Sequence, residues 1–478
     1  MTALWIAGDL AAATGGTLTR DFAAAGVSID SRTVTAGDLF IALQGPNFDG
    51  HAFVADALAK GAAGALVAQS FVAGGAAGLA ADAPLLVVGD TLAALTALGR
   101  AARQRSHARI IAVTGSVGKT GTKEALRLAL AGQGLTHASV GSFNNQWGVP
   151  LSLARMPREA NFGIFELGMN HAGELAALSP LAQPHVALIT TIEAAHLGYF
   201  PSLEAIADAK AEIFDGVAPG GAAVLNRDNP FFARLAKAAR RRGIGRIIEF
   251  GEHAQAAVRL LDCRLGATAS AVTASVMGEV LDYTIALPGR HWVMNSLAVL
   301  GAVKAVGGDV GAASAAFAQL TGLPGRGRRH TIALRGGSFD LIDESYNASP
   351  AAVRAAIAVP GAAVAPGGRR IAVLGDMLEL GAQSARLHAE LAAPLAAADI
   401  ALVYTVGDDM ARLHAALPER MRGAHCASAV EMAPVIAAAL RPGDVVTVKG
   451  SLGIRMAVIV KHLLAGEPAP VASNATAR

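Results

Sequence analysis

Residues 109–131 read RIIAVTGSVGKTGTKEALRLALA. An apolar strand, RIIAV, runs into the loop TGSVGKT, and an Ala/Leu-rich helix opens at about Lys119. Strand, glycine loop and helix in this order predict a phosphate-binding loop in an α/β domain. Its glycines let backbone N–H groups approach phosphate oxygens, and the helix N-terminus adds its positive dipole end. Thr114, Gly115, Ser116, Val117, Gly118, Lys119, Thr120 and Gly121 are the nucleotide-binding candidates. Lys119 is expected at the outer phosphates and the Thr120 hydroxyl at Mg²⁺. Val113 stands where the usual G-x-x-x-x-G-K-[ST] pattern has its first glycine, so the motif is a variant.

Working outward, apolar strand candidates follow at 161–167, 185–191 and 221–226, separated by helical stretches. That alternation predicts a parallel α/β sheet. Residues 322–329, GLPGRGRR, read as a joint. Strands at 339–343, 369–375, 400–407 and 444–450 then alternate with helices and predict a second, Rossmann-like α/β domain. We therefore expect an N-terminal domain over 1–105, a central nucleotide-binding domain over 106–324, a C-terminal domain over 325–465 and a disordered tail over 466–478. Residues 61–81 carry no charge but are rich in Ala and Gly, so they are expected to form a helix–loop segment and not a membrane span.

Composition narrows the class. With 16% charged and 53% hydrophobic residues, the chain is not extensively disordered. The net charge of +3 is small, aromatics are sparse, and no basic run exceeds Arg240–Arg242, which argues against a nucleic-acid binder. Cys263 and Cys426 are too few for a disulfide scaffold or a zinc site, which fits a reducing compartment. The start MTALWIAGDL lacks a basic leader, so no signal peptide is expected. Arg outnumbers Lys 32 to 8, which draws attention to the few lysines as places that need a primary amine. Lys60, Lys123, Lys237, Lys304 and Lys461 are read as ordinary charges.

Glu166 ends one strand candidate, His196 follows another, and Lys210 lies on a predicted helix over about 202–215. Ligands bind at the carboxyl ends of strands in such sheets. Thr120, Glu166 and His196 are candidate Mg²⁺ ligands, although magnesium prefers oxygen. Lys210 has Ala207, Ile213, Ile206 and Phe214 at helical spacing, so no local acid explains its charge. Carbamylation by CO₂ would convert this amine into an anion able to hold metal.

These residues resemble those of the ATP-dependent Mur ligases of peptidoglycan synthesis, most closely the pentapeptide-forming type. The likeness spans the chain except its tail. It includes FELGMN at 165–170, the 193–214 stretch EAAHLGYFPSLEAIADAKAEIF, and GRHWVMNSLAVLGA at 289–302. PGRGRR at 324–329, LIDESYNASP at 341–350, VLGDMLELG at 373–381 and VKGSLGIRM at 448–456 continue it. The resemblance implies a three-domain architecture with a central P-loop ATPase domain. It implies roles for Lys119, Glu166, His196, Lys210 and Arg326 in catalysis, with Asn295 near the adenine. Asp343, Glu344 and Asn347 fall on the ribose-binding segment, with both carboxylates as candidates. Trp292 stands where the family usually has Asn.

In the N-terminal segment IDSRTVTAGDLFIALQGPNFDGHAF (29–53), the resemblance places Ser31, Arg32, Gly45, Asp49 and His51 by the UDP sugar. Asn144 and Asn145, in SFNNQWGVPLSL (142–153), fall near the muramoyl peptide. Lys449 and Ser451 are further candidates facing the substrate, with strand-end and helix-cap roles as the alternative. The expected reaction joins D-alanyl-D-alanine to UDP-N-acetylmuramoyl-tripeptide, the third residue being diaminopimelate or lysine. ATP would activate the carboxylate as an acyl phosphate, with two Mg²⁺ ions and carbamylated Lys210 assisting. A cytoplasmic monomer is expected. The tripeptide-forming Mur ligases typically carry a D-N-P-R box in the C-terminal domain. Here the only D-N-P is Asp228-Asn229-Pro230, in the middle domain, followed by Phe231. A folylpolyglutamate synthase is the other alternative, disfavoured by the 30–32 and 48–51 segments.

Overall fold

The computed structural model describes residues 3–76, 78–194, 197–358 and 367–466. Among them, three large sheets carry the architecture. The central one has nine strands. Seven are parallel: Thr136–Ala138, Phe162–Glu166, Arg109–Thr114, Val186–Ile189, Ala222–Asn226, Arg246–Gly251 and Val258–Leu265, in that spatial order. Arg109–Thr114 alternates its side chains between two cores. Ile111 and Val113 pack with the helices Lys119–Ala131 and Arg290–Ala305 on one face. Ile110 and Ala112 pack with Phe165, Ile206 and Phe214 on the other. A strand covered on both faces needs an unbroken apolar run, which is why RIIAV carries no polar residue after Arg109.

The chain leaves this strand, returns on one side through Phe162–Glu166 and on the other through Val186–Ile189. The crevice at this switch of direction is where ligands settle in open α/β sheets. Register sets Glu166 directly beside Val113, at the threshold of the glycine loop.

Two parts differ from the sequence expectation. The central sheet continues into an antiparallel meander, Val258–Leu265, Ser270–Val276 and Glu279–Ile285. Its last hairpin turns at Met277 and Gly278, both at positive φ, the conformation of a two-residue hairpin loop. Residues 61–81 are also not a helix–loop segment. Gly64–Ala68 is a buried strand between Asp38–Ile41 and Leu85–Val88, followed by the short helix Gln69–Ala73. No helix among the described residues is long and apolar enough to cross a membrane.

The N-terminal sheet has five strands and the C-terminal sheet six. The latter is parallel except for its edge strand Arg328–Leu334, which pairs antiparallel with Gly337–Glu344. Parallel pairing of Gly337–Glu344 with Val445–Lys449 sets Glu344 opposite Lys449. Of the expected tail, residues 467–478 lie outside the described residues.

Candidate active site

The glycine loop has the backbone its sequence requires. Gly115 and Gly118 sit at φ +147° and +87°, a region unfavourable to side chains. A Cβ on Gly115 would fall 1.9 Å from Thr190 Oγ1. That hydroxyl donates to the Val117 carbonyl at 2.6 Å. Ser116 is fastened to the next strand end, accepting from Glu193 N and donating to Glu193 O, both at 3.0 Å. The loop is thus clamped by the segment that follows Val186–Ile189, a support the sequence motif does not show.

Lys119 Nζ donates to the Gly115 carbonyl at 2.8 Å, curled over the loop. Burial lowers its pKa, the Glu166 charge opposes that, and Arg326 adds to it. These couplings place Lys119, Glu166 and Arg326 in one electrostatic neighbourhood. Lys210 belongs to it as well. Its side chain is buried in the helix Leu203–Ala211, which runs on into the 3-10 turn Glu212–Gly216. Burial drives its pKa well below the usual lysine range, and the Lys119 charge pushes the same way.

Glu166 is buried at the end of its strand. Asn144 Nδ2 donates to its Oε1 at 2.7 Å, while Oε2 is buried without a hydrogen-bond partner. The hydroxyls of Thr120 and Thr114 are buried and unpartnered too. Buried polar atoms are normally paired, so orphaned oxygens on one loop and the adjoining strand suit a hard, oxygen-preferring cation. Thr120 and Glu166 therefore fit Mg²⁺ by donor type, and a neutral Lys210 amine fits carbamylation. No group of three or more His, Cys, Asp or Glu side chains placed to hold a metal ion occurs among the described residues. His196 lies outside them.

The first two turns of the helix Arg290–Ala305 face the loop. A Cβ on Gly118 would lie 3.1 Å from Asn295 Oδ1. One on Gly121 would lie 2.9 Å from the Trp292 ring. His291 is set in the first turn, where burial lowers its pKa, Glu344 opposes that, and Lys449 adds to it. The nucleotide face thus brings the central domain against the carboxyl ends of the C-terminal sheet.

At the joint, Arg326 Nη2 donates to Ser142 Oγ at 3.2 Å, and its guanidinium lies 4.2 Å from the Tyr346 ring centre. Asp343 spends both oxygens locally. Oδ2 accepts from Gly325 N at 2.7 Å, and Oδ1 accepts from the Ser345 amide and hydroxyl. Glu344 instead pairs with Lys449 at 3.1 Å, and Lys449 also donates to the Asn347 carbonyl at 3.0 Å. Lys449 is therefore a buried ion-pair partner and not a solvated strand-end charge. Ser451 does not cap a helix with its side chain. Its hydroxyl accepts from Leu378 N at 2.9 Å.

The N-terminal candidates form a separate group. Asp49 Oδ1 contacts His51 Nδ1 at 2.6 Å, and His51 Nε2 accepts from Ala68 N at 2.9 Å. That pair holds the 45–51 loop. Arg32 is exposed and bonded to Asp30, and the Ser31 carbonyl accepts from Lys60. Phe48 meets Trp147 edge to face at 5.8 Å, next to Asn145, whose side chain accepts from the Trp147 and Gly148 amides. This contact links the loop to the central domain near Asn144.

Sequence reasoning missed Lys123. It is fully buried, and not an ordinary surface charge.

A glycine loop opening a helix, buried oxygen donors and a cationic joint between α/β domains are the features of a nucleotide-binding enzyme of the P-loop kind. Comparisons refine this. Residues 113–303 match the Mur ligase middle domain, 327–452 the Mur ligase glutamate ligase domain, and 24–103 the Mur ligase family catalytic domain. The chain is 33% identical to the UDP-N-acetylmuramoyl-tripeptide–D-alanyl-D-alanine ligase of Rickettsia prowazekii, covering 91% of this chain and 94% of that one. It is 35% identical to the Escherichia coli enzyme of that name, over 91% and 93%. The crystal structure of MurF from Acinetobacter baumannii superposes with a TM-score of 0.82 at 30% identity, over 97% and 99% of the two chains. The chain belongs to the Mur ligase family, in its MurF type.

Proposed function

We propose that the chain joins D-alanyl-D-alanine to UDP-N-acetylmuramoyl-tripeptide with hydrolysis of ATP, at the seam of the three domains. The reaction is the one its relatives are named for. The observation that carries its placement here is the buried, unpartnered Oε2 of Glu166, beside the glycine loop that holds Lys119 and the unpartnered Thr120 hydroxyl.

A carboxylate is a poor acyl donor, so its oxygen first takes the γ-phosphoryl group of ATP. Lys119 leaves the Gly115 carbonyl and offsets charge on that group, as do the loop amides. Thr120 would hold one Mg²⁺ ion, and Glu166, His196 and carbamylated Lys210 a second. Bound there, the metal neutralises charge on phosphoryl and acyl oxygens. The dipeptide amine then attacks the acyl carbon, and phosphate departs with the former carboxylate oxygen.

Arg326 reaches from the joint toward the transferred group. Asn295 and Trp292 flank the nucleotide side of the loop. Glu344, and not Asp343, is assigned to the ribose, because both Asp343 oxygens are committed to the joint whereas Lys449 engages only Oε2 of Glu344. Asn347 steadies Lys449 through its carbonyl. Ser31, Arg32, Gly45, Asp49 and His51 bind the UDP sugar, and Asn144 and Asn145 shape the approach of the peptide. Lys449 acts on the substrate side through Glu344, and Ser451 by holding the Leu378 backbone.

Free Cys263 and Cys426 agree with a cytoplasmic setting. Phosphate release should require the UDP-muramoyl-tripeptide and D-Ala-D-Ala together. Turnover with a UDP-dipeptide and a single amino acid, or with a folate and glutamate, would overturn the assignment.

A further inference from the structure

Lys123 lies one helical turn past Lys119, in Lys119–Ala131, and its side chain is fully buried. Its ammonium has three donors and finds three acceptors. They are the Ser139 carbonyl at 2.6 Å, the Gly141 carbonyl at 2.7 Å and Glu124 Oε1 at 2.8 Å. Both carbonyls belong to the loop leaving the edge strand Thr136–Ala138, which turns at Gly141 with φ +56°. The next residues reach two parts of the site. Ser142 accepts from Arg326, and Asn144 donates to Glu166 while its carbonyl accepts from Gly168 N at 2.8 Å. Ser139 Oγ also accepts from the Glu166 amide at 3.3 Å.

We propose that Lys123 is a positioning residue that locks the 139–144 loop to the phosphate-loop helix, so that Glu166 and Arg326 keep their place relative to Lys119 and Thr120. Only a tetrahedral ammonium suits the three acceptors. The planar guanidinium of arginine presents its donors as a fork and is larger. Losing the ammonium strands the buried Ser139 carbonyl, releases the Gly141 carbonyl and so frees the loop. Displacements near 1 Å at a reacting centre can cost on the order of 100-fold in rate. The inference rests on Glu166 and Arg326 serving the ligation.

The test uses the full-length enzyme with Lys123→Met, Lys123→Arg, Asn144→Ala and the double variant Lys123→Met/Asn144→Ala. Lys123→Met should lower kcat at least about tenfold while the KM for ATP stays within about twofold, since the glycine loop is untouched. Lys123→Arg should not restore kcat. Amide hydrogen exchange should quicken at 139–144 and Gly168 and remain unchanged in the Gly64–Ala68 strand. The double variant should lose little more than Lys123→Met alone, because the two act through one loop. Multiplicative losses, or unchanged kcat per folded enzyme with only a lowered melting temperature, would overturn the proposal. If Lys123→Met does not fold, Lys123→Arg carries the same kinetic and exchange comparison. Glu166→Gln separates the two ideas: full activity there removes the role given to Glu166, whereas multiplicativity with an essential Glu166 removes only the role of Lys123.

Discussion

Asn144 donates to Glu166 Oε1 at 2.7 Å and leaves Oε2 as the buried oxygen without a partner. The amide thus fixes which oxygen is free and where it points. Asn144→Ala should raise the Mg²⁺ concentration for half-maximal phosphate release several-fold, and Glu166→Gln should lower kcat by about 100-fold or more, the scale of a lost electrostatic contact in a reaction of this kind. A magnesium titration of both variants checks this. Unaltered magnesium dependence in Asn144→Ala would separate the hydrogen bond from metal binding.

Lys210 sits in a dry setting where burial and the Lys119 charge both favour the neutral amine, the form that reacts with CO₂. Lys210→Ala should lose activity and regain part of it with a short carboxylic acid. Lys210→Arg should stay inactive, because arginine cannot form this carbamate. Mass spectrometry under ¹³C-bicarbonate offers a direct check. Wild-type activity in Lys210→Ala would end the metal-linked role.

Gly121 opens the helix below the Trp292 ring, with 2.9 Å between that ring and the place of an added Cβ. An alanine in a helix usually gains about 1 kcal/mol over glycine. Here overpacking against a rigid indole should outweigh the gain, for a net loss of about 1–2 kcal/mol. With Trp292→Asn in the background, Gly121→Ala should become neutral or stabilising. Denaturant unfolding of the four proteins in this cycle measures the reversal.

Glu344 and Asp343 are neighbours in sequence with different work. Glu344→Gln should raise the KM for ATP several-fold and also lower the melting temperature, because buried Lys449 loses its counter-charge. Asp343→Asn should chiefly destabilise the joint, by about 1–3 kcal/mol for a buried acceptor lost to the Gly325 and Ser345 amides. Kinetics and thermal unfolding of the two variants, read side by side, distinguish them. The reverse pattern would return the ribose to Asp343.

Where burial is two-sided, the fold is legible in the chain. RIIAV and its neighbours are unbroken apolar runs because helices cover both faces of the sheet. The meander at 258–285 escapes notice because its inner positions are small: SAVTASV buries Ser270, Val272, Ala274 and Val276 by strict alternation but looks weakly apolar. Gly64–Ala68 is hidden in the same way, since Ala and Gly carry little strand signal. The phosphate loop, Glu166 and Lys210 follow from local spacing and from family resemblance. Lys123 does not, because its acceptors come from a loop closed by tertiary contacts. The Glu344–Lys449 pair joins residues 105 apart, a relation set only by strand register.

The central claim is that this site activates the tripeptide carboxylate by phosphorylation before the dipeptide attacks. UDP-N-acetylmuramoyl-tripeptide labelled with ¹⁸O in its terminal carboxylate, turned over with ATP and D-Ala-D-Ala, tests it directly. Mass analysis of the released phosphate should find one ¹⁸O atom per phosphate, with equimolar pentapeptide product. Phosphate free of ¹⁸O alongside pentapeptide formation would contradict the account.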